Sequence, residues 1–181
     1  MLECVPNVSE GRDRRIIERL ADAIRGVAGV RLADVHADPD HHRSVFTFMG
    51  APGAVEAAVL ALAEAVFASI DMGKHQGVHR RIGALDVVPF VPLRNLGMAD
   101  AVAHARAVGE ALGRTHGVPV YFYGAAAIEP GAIDVNDETE CLVRADFHAG
   151  NRVRADPGVV ARARVLEIPL GGDRDAGTDF G

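Results

Sequence analysis

Apolar and polar residues follow two different periods along this chain, and the two periods separate helices from strands. Apolar residues recur every three or four positions over residues 13–27, 52–70 and 98–116, which predicts three helices. Short runs rich in β-branched and aromatic residues lie between them and predict strands. The predicted strands are residues 2–7, 30–35, 44–49, 85–91 and 118–123.

The order of these elements predicts the fold class. It reads β-α-β-β-α-β with an added α-β, and the first six elements match the ferredoxin-like arrangement. We therefore predict an α+β protein, a ferredoxin-like two-layer sandwich in which a mixed β-sheet carries its helices on one face. Pro89 lies within a predicted strand and indicates an edge strand or a bulge there. After residue 127 the pattern is irregular, with one candidate strand at residues 141–147.

Length and composition predict a single domain over residues 1–181. The chain is 49% hydrophobic and long enough to form a hydrophobic core without help from disulfide bonds or bound metal ions. Apolar runs fall short of the roughly 20 residues that span a bilayer, and the N-terminal residues do not show a signal-peptide pattern. A cytoplasmic protein without a membrane partner is expected. Cys4 and Cys141 are isolated, which argues against a disulfide framework and a structural zinc site.

The net charge of −6 is unevenly distributed and bears on the class of ligand. Residues 124–181 hold 11 acidic against 6 basic residues, whereas residues 1–123 hold 14 against 13. A nucleic-acid partner is not expected, because neutralising phosphates requires a basic face. The loop around Lys74 is basic enough to hold a small anion.

Two histidine-bearing turns are the candidates for chemistry. Residues 71–92, DMGKHQGVHRRIGALDVVPFVP, form a polar loop that leads into an apolar strand, and such loops commonly present functional side chains. Residues 34–43, DVHADPDHHR, form a second turn between two predicted strands. Both turns connect strands, so this topology can bring them together at one end of the sheet.

Two interpretations fit these turns. One is a metal site made by their histidines and aspartates. However, Gly73 and Gly77 disfavour a helix that would point His75 and His79 the same way, so the spacing gives that site little support. The other is acid–base catalysis by one histidine, beside cations that hold a carboxylate substrate. It also gives the basic residues a role, so no metal is included in the predicted site.

Three ordered motifs resemble the N-terminal subdomain of glutamate formimidoyltransferase. They are ECVPNVSEGR at residues 3–12, HHRSVFTFMG at residues 41–50 and IDMGKHQGVHRRIGALDVVPFVPL at residues 70–93. The resemblance covers about residues 3–127. It implies a ferredoxin-like subdomain that moves a formimino group from N-formimino-L-glutamate to tetrahydrofolate, the co-substrate. This would be a step of histidine degradation and one-carbon metabolism.

The resemblance also implies roles for individual residues. The family's catalytic histidine matches His79, and a family arginine matches Arg43. One imidazole near neutrality can accept the proton of the attacking amine and return it to the leaving nitrogen. With the composition of the two turns, this gives a predicted substrate-binding set: Arg43, Lys74, His75, Arg81, His36 and His42.

Several positions depart from the family pattern and leave alternatives open. The departures are His36, His42, Val78 and Arg80. The resemblance implies only half of a site, completed by a C-terminal subdomain or a homodimer partner. A non-catalytic folate-binding or anion-binding module of the same fold is the first alternative, and a metal-dependent hydrolase is the second. A transfer assay tests the first alternative, and elemental analysis tests the second.

Overall fold

The computed structural model describes residues 1–78, 83–127 and 141–145, and of 141–145 only the strand. The helices are α1 (Arg14–Arg25), α2 (Pro52–Ser69) and α3 (Met98–His116), with a short 3-10 turn at Met72–Lys74. The strands are β1 (Leu2–Cys4), β2 (Asn7–Val8), β3 (Val30–Asp38), β4 (Arg43–Gly50), β5 (Leu85–Pro92), β6 (Val120–Gly124) and β7 (Cys141–Ala145).

The predicted helices are confirmed to within two residues at each end. The strand predicted at residues 30–35 is longer than expected, because β3 continues to pair with β4 as far as Asp38 opposite Arg43. The first predicted strand is divided into β1 and β2, which are separated by Val5 and Pro6. The candidate strand at residues 141–147 is confirmed as β7.

The described strands form one sheet, and the α+β class is confirmed. β1 and β2 lie end to end between β4 and β5, with β3 beyond β4 and with β7 and then β6 beyond β5. Every pairing among the described strands is antiparallel, although the sequence predicted a mixed sheet. The reason is that α1 connects β2 to β3 and α2 connects β4 to β5, and neither helix joins two neighbouring strands. β1 and β2 therefore pair with β4 and β5 instead of with β3.

Pro89 does not lie at an edge or in a bulge, so that prediction is wrong. β5 is an inner strand between β1–β2 and β7, and Pro89 lies opposite the break between β1 and β2. The Val5 amide donates to Pro89 O at 3.2 Å, whereas Pro89 has no N–H to donate in return. The Asn7 side chain donates instead to Val5 O at 3.2 Å. The carbonyl oxygen of Val5 therefore has a donor although Pro89 offers none.

One side of the sheet closes the hydrophobic core. Ser44, Phe46 and Phe48 on β4 are fully buried, whereas Val45 and Thr47 between them are half-buried. Buried residues of all three helices belong to the same core as Phe46 and Phe48. We call the side that carries Val45 and Thr47 the open side of the sheet.

Among the described helices, α2 is long and apolar enough to cross a membrane, judged by length and composition alone. Six of its residues are nevertheless buried in the core: Val55, Ala58, Val59, Leu62, Ala63 and Val66. A core helix passes the same test. The expectation that no apolar stretch reaches this length therefore does not hold for α2, of which 33% is buried inside the structure.

Candidate functional site

The two histidine-bearing turns meet at one end of the sheet. The His75 Nε2 atom lies 3.1 Å from the carbonyl oxygen of His42. The rings of His42 and His75 are stacked, with centroids 4.1 Å apart and an angle of 22° between their planes. The sequence expectation that the turn before β4 and the loop after α2 come together is confirmed for these two residues.

Gly77 allows this close approach. A Cβ atom at Gly77 would lie 2.7 Å from His41 O and 2.9 Å from the His42 Cβ. One of these contacts is with backbone, which cannot move aside as a flexible side chain can. Residue 77 must therefore be glycine for the loop to rest on the turn that carries His42.

His42 is fixed by the segment that precedes α1. Its backbone φ is 52°, in the left-handed region, which costs a non-glycine residue about 1–2 kcal/mol. The Gly11 amide donates a hydrogen bond to His42 Nδ1 at 3.0 Å. The Glu10 carboxylate oxygen Oε1 lies 3.3 Å from the same nitrogen. An unfavourable backbone conformation is thus held in place by contacts from a distant part of the chain.

Glu10 connects this turn to the start of α1. The residue is only 8% exposed, and its Oε1 accepts hydrogen bonds from the amides of Arg12 at 2.8 Å and Asp13 at 2.9 Å. Its backbone oxygen accepts a hydrogen bond from the hydroxyl of the buried Ser44. Hydrogen bonds to a charged carboxylate are stronger than neutral ones, so Glu10 ties the start of α1 to β4.

Gly11 has the same steric role beside His42 that Gly77 has. A Cβ atom there would lie 2.2 Å from Asp38 O and 2.5 Å from Arg43 N. Both atoms belong to the backbone of the turn between β3 and β4. A side chain at residue 11 would therefore separate the Gly11 amide from His42.

Arg43 lies on the open side of the sheet within a polar network. Its Nε donates to Asn7 Oδ1 at 2.9 Å, and its Nη1 lies 3.8 Å from Asp86 Oδ2. The Asp86 side chain is 4% exposed and that of Arg43 is 22% exposed. The pairing of β2 with β5 shifts register between Asn7 and Val8, next to Asp86. A guanidinium held in this way is a suitable group for binding a carboxylate.

His36 and Lys74 are less tightly held than the other predicted residues. His36 is exposed on β3 and pairs with Val45 on β4, so it shares the open side with Arg43. The Lys74 ammonium lies 3.1 Å from Asp71 Oδ2, and its side chain is 86% exposed. Its hydrogen bond, with that from the Gly73 amide, lowers the pKa of Asp71.

The turn between β3 and β4 is stabilised by Asp38. Its carboxylate accepts hydrogen bonds from the amides of Asp40 and His41, and its Oδ2 lies 2.6 Å from His41 Nδ1. The pKa of Asp38 is lowered, first by the His41 amide and then by the His41 ring. His41 thus shapes the turn that presents His42.

The predicted catalytic residue His79 and the predicted ligand Arg81 lie outside the described residues. The last described residue before them is Val78, which is 79% exposed. After them it continues at Gly83, whose carbonyl oxygen accepts a hydrogen bond from the buried Ser9 hydroxyl at 2.7 Å. The predicted roles of His79 and Arg81 stay predictions.

Within residues 1–78 and 83–127, no group of three or more His, Cys, Asp or Glu side chains is arranged to hold a metal ion. The histidines of the two turns instead contact each other, backbone atoms and single carboxylates. His42 and His75 form the stacked pair, and His41 contacts Asp38.

Sequence reasoning missed the residues that hold the site together. They are Asn7, Ser9, Glu10, Gly11, Ser44 and Asp86. One signal was available, because Asp86 interrupts an apolar segment that predicts a buried strand, and a buried carboxylate requires a partner. For Glu10 the only signal was its place in a motif, because its role depends on contacts with residues about thirty positions away.

Comparison with known proteins gives a consistent result. The family described as "Formiminotransferase domain, N-terminal subdomain" matches residues 1–140. A glutamate formimidoyltransferase of Thermoplasma acidophilum is 46% identical over 136 residues, which are 75% of this chain and 45% of the relative. A formimidoyltransferase-cyclodeaminase of Gallus gallus is 46% identical over 127 residues, or 70% of this chain and 24% of the relative.

A more distant relative gives the same picture. A glutamate formimidoyltransferase of Streptococcus pyogenes is 37% identical over 130 residues, which are 72% of this chain and 44% of that protein. The chain therefore spans less than half the length of these curated relatives.

Proposed function

Because the chain belongs to the formiminotransferase family as an N-terminal subdomain, we propose that it helps to move a formimino group from N-formimino-L-glutamate to tetrahydrofolate. The observation that carries the proposal is the meeting of two turns at one end of the sheet. There the rings of His42 and His75 are stacked, and Arg43 follows His42 directly in the chain.

The proposed fold is ferredoxin-like. If β1 and β2 are counted as one strand, the order β5, β1–β2, β4, β3 with antiparallel neighbours supports this assignment. The connections through α1 and α2, with the β3–β4 hairpin between them, also correspond to that arrangement. β6 and β7 extend the sheet beyond β5.

The proposed chemistry is a double proton transfer by His79. The folate amine attacks the formimino carbon and loses a proton, and the glutamate nitrogen leaves that carbon and gains a proton. A single imidazole can accept the first proton and deliver the second, so the balance requires no redox partner. His75 precedes His79 by four residues in the sequence, and we propose that it shapes the start of the loop through its contact with His42.

Arg43 is the proposed anchor for a substrate carboxylate. Its hydrogen bond to Asn7 and its proximity to Asp86 fix the guanidinium on the open side of the sheet. Guanidinium–carboxylate pairs are often bidentate, which orients a ligand as well as binding it. The other members of the proposed substrate-binding set are Lys74, His75, Arg81, His36 and His42.

We propose that a second subdomain or a partner copy completes the site, since the relatives are more than twice as long as the matched region. The chain alone is then expected to bind folate weakly and to show little transfer. Half a cleft loses much of the positioning that brings two substrates together.

A chimera tests the proposed function. Residues 1–140 would replace the matched N-terminal part of the Thermoplasma acidophilum relative, and formimino transfer to tetrahydrofolate would be measured. Turnover by the chimera, with little or none from the 181-residue chain, is the expected result. Robust turnover by the chain alone would show that the chain, or a homodimer of it, has a complete site.

The matched control is His104→Gln. His104 is on α3, where its Nδ1 lies 2.6 Å from Glu56 Oε1, and glutamine keeps a polar contact there. This variant should retain activity in the chimera. If the folded chimera binds a folate analogue but shows no transfer, the chain is a non-catalytic binding module and the proposal is wrong.

A further inference from the structure

Residues 9–11, Ser-Glu-Gly, bind to two different parts of the candidate site. The Gly11 amide donates to His42 Nδ1 at 3.0 Å, in the turn between β3 and β4. The Glu10 carbonyl oxygen accepts a hydrogen bond from the Ser44 hydroxyl, at the start of β4. One end of this short segment is therefore fixed to the turn that carries His42.

Ser9, at the other end of the segment, binds the chain where it enters β5. Its amide donates to Ala84 O at 2.8 Å, which extends the pairing of β2 with β5 beyond Val8 and Leu85. Its hydroxyl donates to Gly83 O at 2.7 Å. The side chain of Ser9 thus provides the donor for the next carbonyl oxygen, because the main chain leaves the sheet there toward α1.

The hydrogen bond between Ser9 and Gly83 is buried. Ser9 is 2% exposed, and Gly83 is also buried. Removing the hydroxyl would take this donor away from the Gly83 carbonyl oxygen, and a buried acceptor that loses its donor costs free energy. The bond therefore favours one position of the Gly83 backbone over others.

The other described end of the loop between α2 and β5 is also held. A Cβ atom at Gly77 would lie 2.7 Å from His41 O, so this part of the loop rests on the turn that Gly11 contacts. Residues 9–11 thus fix both described ends of the loop. They hold Gly83 directly through Ser9, and they hold Gly77 indirectly through the turn between β3 and β4.

We infer that Ser9 is a positioning residue that fixes Gly83, and with it the end of the loop, relative to the turn that carries His42. The inference rests on the proposed function, which assigns proton transfer to His79, four residues before Gly83 in the sequence. A displacement of about 1 Å caused by a distant mutation can lower a rate on the order of a hundredfold. Loss of the Ser9 hydroxyl should therefore slow the reaction, although Ser9 is not proposed to contact substrate.

The first experiment compares Ser9→Ala with the unsubstituted chimera described above. This substitution removes one oxygen atom and leaves the amide of residue 9 to donate to Ala84 O. We expect kcat to fall on the order of tenfold to a hundredfold. The KM should change much less, because the proposed substrate-binding groups are retained. An unchanged kcat in Ser9→Ala would overturn the inference.

Asp13→Ala is the matched control, because it also removes side-chain hydrogen bonds from the chain that precedes α1. Asp13 is the N-cap of α1, and its Oδ1 accepts from the amides of Arg15 and Ile16. Both variants should have a lower thermal midpoint, but kcat should fall only in Ser9→Ala. Equal losses of kcat would reduce Ser9 to a general contribution to stability and would overturn the inference.

Limited trypsin digestion of the 181-residue chain tests the inference without any assay of activity. Arg80 and Arg81 are trypsin sites between Gly77 and Gly83 in the sequence, and mass spectrometry identifies cleavage there by fragments that begin at residue 81 or 82. Cleavage at these sites should be several-fold faster in Ser9→Ala than in the native chain, and Asp13→Ala should not change it.

The two experiments fail separately. If the unsubstituted chimera shows no transfer, the proposed function fails, whereas the digestion still decides whether Ser9 fixes the loop. Equal cleavage rates at residues 80 and 81 in the native chain, Ser9→Ala and Asp13→Ala would overturn the inference.

Discussion

The two sides of β4 differ although their residues alternate in one short strand. Ser44, Phe46 and Phe48 are fully buried against the helices, whereas Arg43 and Val45 are half-buried on the open side. The buried side consists mainly of interchangeable apolar contacts. The open side contains the directional network from Arg43 to Asn7 and Asp86.

This difference shows how the protein separates stability from function. Apolar burial stabilises in proportion to area and needs little angular precision. A hydrogen-bonded guanidinium needs partners at defined positions, and they come from β2 and β5. We expect substitutions on the buried side to change stability first and substitutions at the open end to change activity first.

The largest expected effect is on activity at the open end. In an active assembly such as the chimera, His79→Ala should lower turnover by on the order of a hundredfold to ten-thousandfold. The KM should change much less, because a proton-transfer group acts mainly in the transition state. His75→Ala should cost less, since His75 contacts His42 and shapes the loop. Equal losses from the two variants would remove His79 from the catalytic role.

A matched pair on β4 measures the contrast in stability. Phe46→Ala should lower the free energy of unfolding by about 3–5 kcal/mol, because it removes a fully buried ring from the core. Val45→Ala, one residue away on the open side, should cost no more than about 1 kcal/mol because Val45 is only half-buried. Urea denaturation followed by circular dichroism checks both. Similar losses would mean that the open side is as closely packed as the core.

Two glycines provide a smaller comparison. Gly77→Ala should destabilise by about 1–3 kcal/mol, since its Cβ would lie 2.7 Å from His41 O and push the loop away from the His42 turn. Gly53→Ala in α2 should stabilise by up to about 1 kcal/mol, because nothing lies within 4 Å of its Cβ and alanine favours helix. Thermal denaturation of both variants measures the difference. A stabilising effect at residue 77 would contradict the close contact between loop and turn.

The smallest expected effect concerns pH and the turn at the open end. The hydrogen bonds from His41 lower the pKa of Asp38, so the ionised carboxylate stabilises the fold above about pH 4. That contribution is lost as the pH falls through the lowered pKa. The melting temperature of Asp38→Asn should therefore lie slightly below that of the native chain at pH 7, and the two should converge once the pH has fallen below the lowered pKa of Asp38. A difference that is independent of pH would exclude the charge as its cause.

Much of the fold was predictable, because its elements are set by local patterns. The stripe of Ile17, Leu20, Ala21 and Ile24 in α1 repeats at three and four residues, and all four are buried. The position of β5 was not predictable in this way. Pro89 argues against an inner strand when its own segment is considered alone. It is tolerated because a break in another strand and the Asn7 side chain lie opposite it.

The sequence predicted which types of residue form the candidate site, but it predicted few of the contacts between them. The sequence identified two turns that could meet. In the structure the rings of His42 and His75 stack where the turns meet, and Arg43 donates a hydrogen bond to Asn7. It did not identify Glu10 or Asp86. Their importance comes from partners that are remote in the chain, and hydrophobic periodicity carries no information about such pairs.

The sequence by itself determined the helices, most of the strands, the family and the chemical character of the turns, because these depend on neighbouring residues and on motifs. The tertiary structure decided the stacking of His42 on His75, the direction of the Gly11 amide and the anchoring of Arg43 by Asn7. Each of these joins segments more than thirty residues apart. Only the packing of α1 and the sheet brings such segments within the few ångströms over which a hydrogen bond forms.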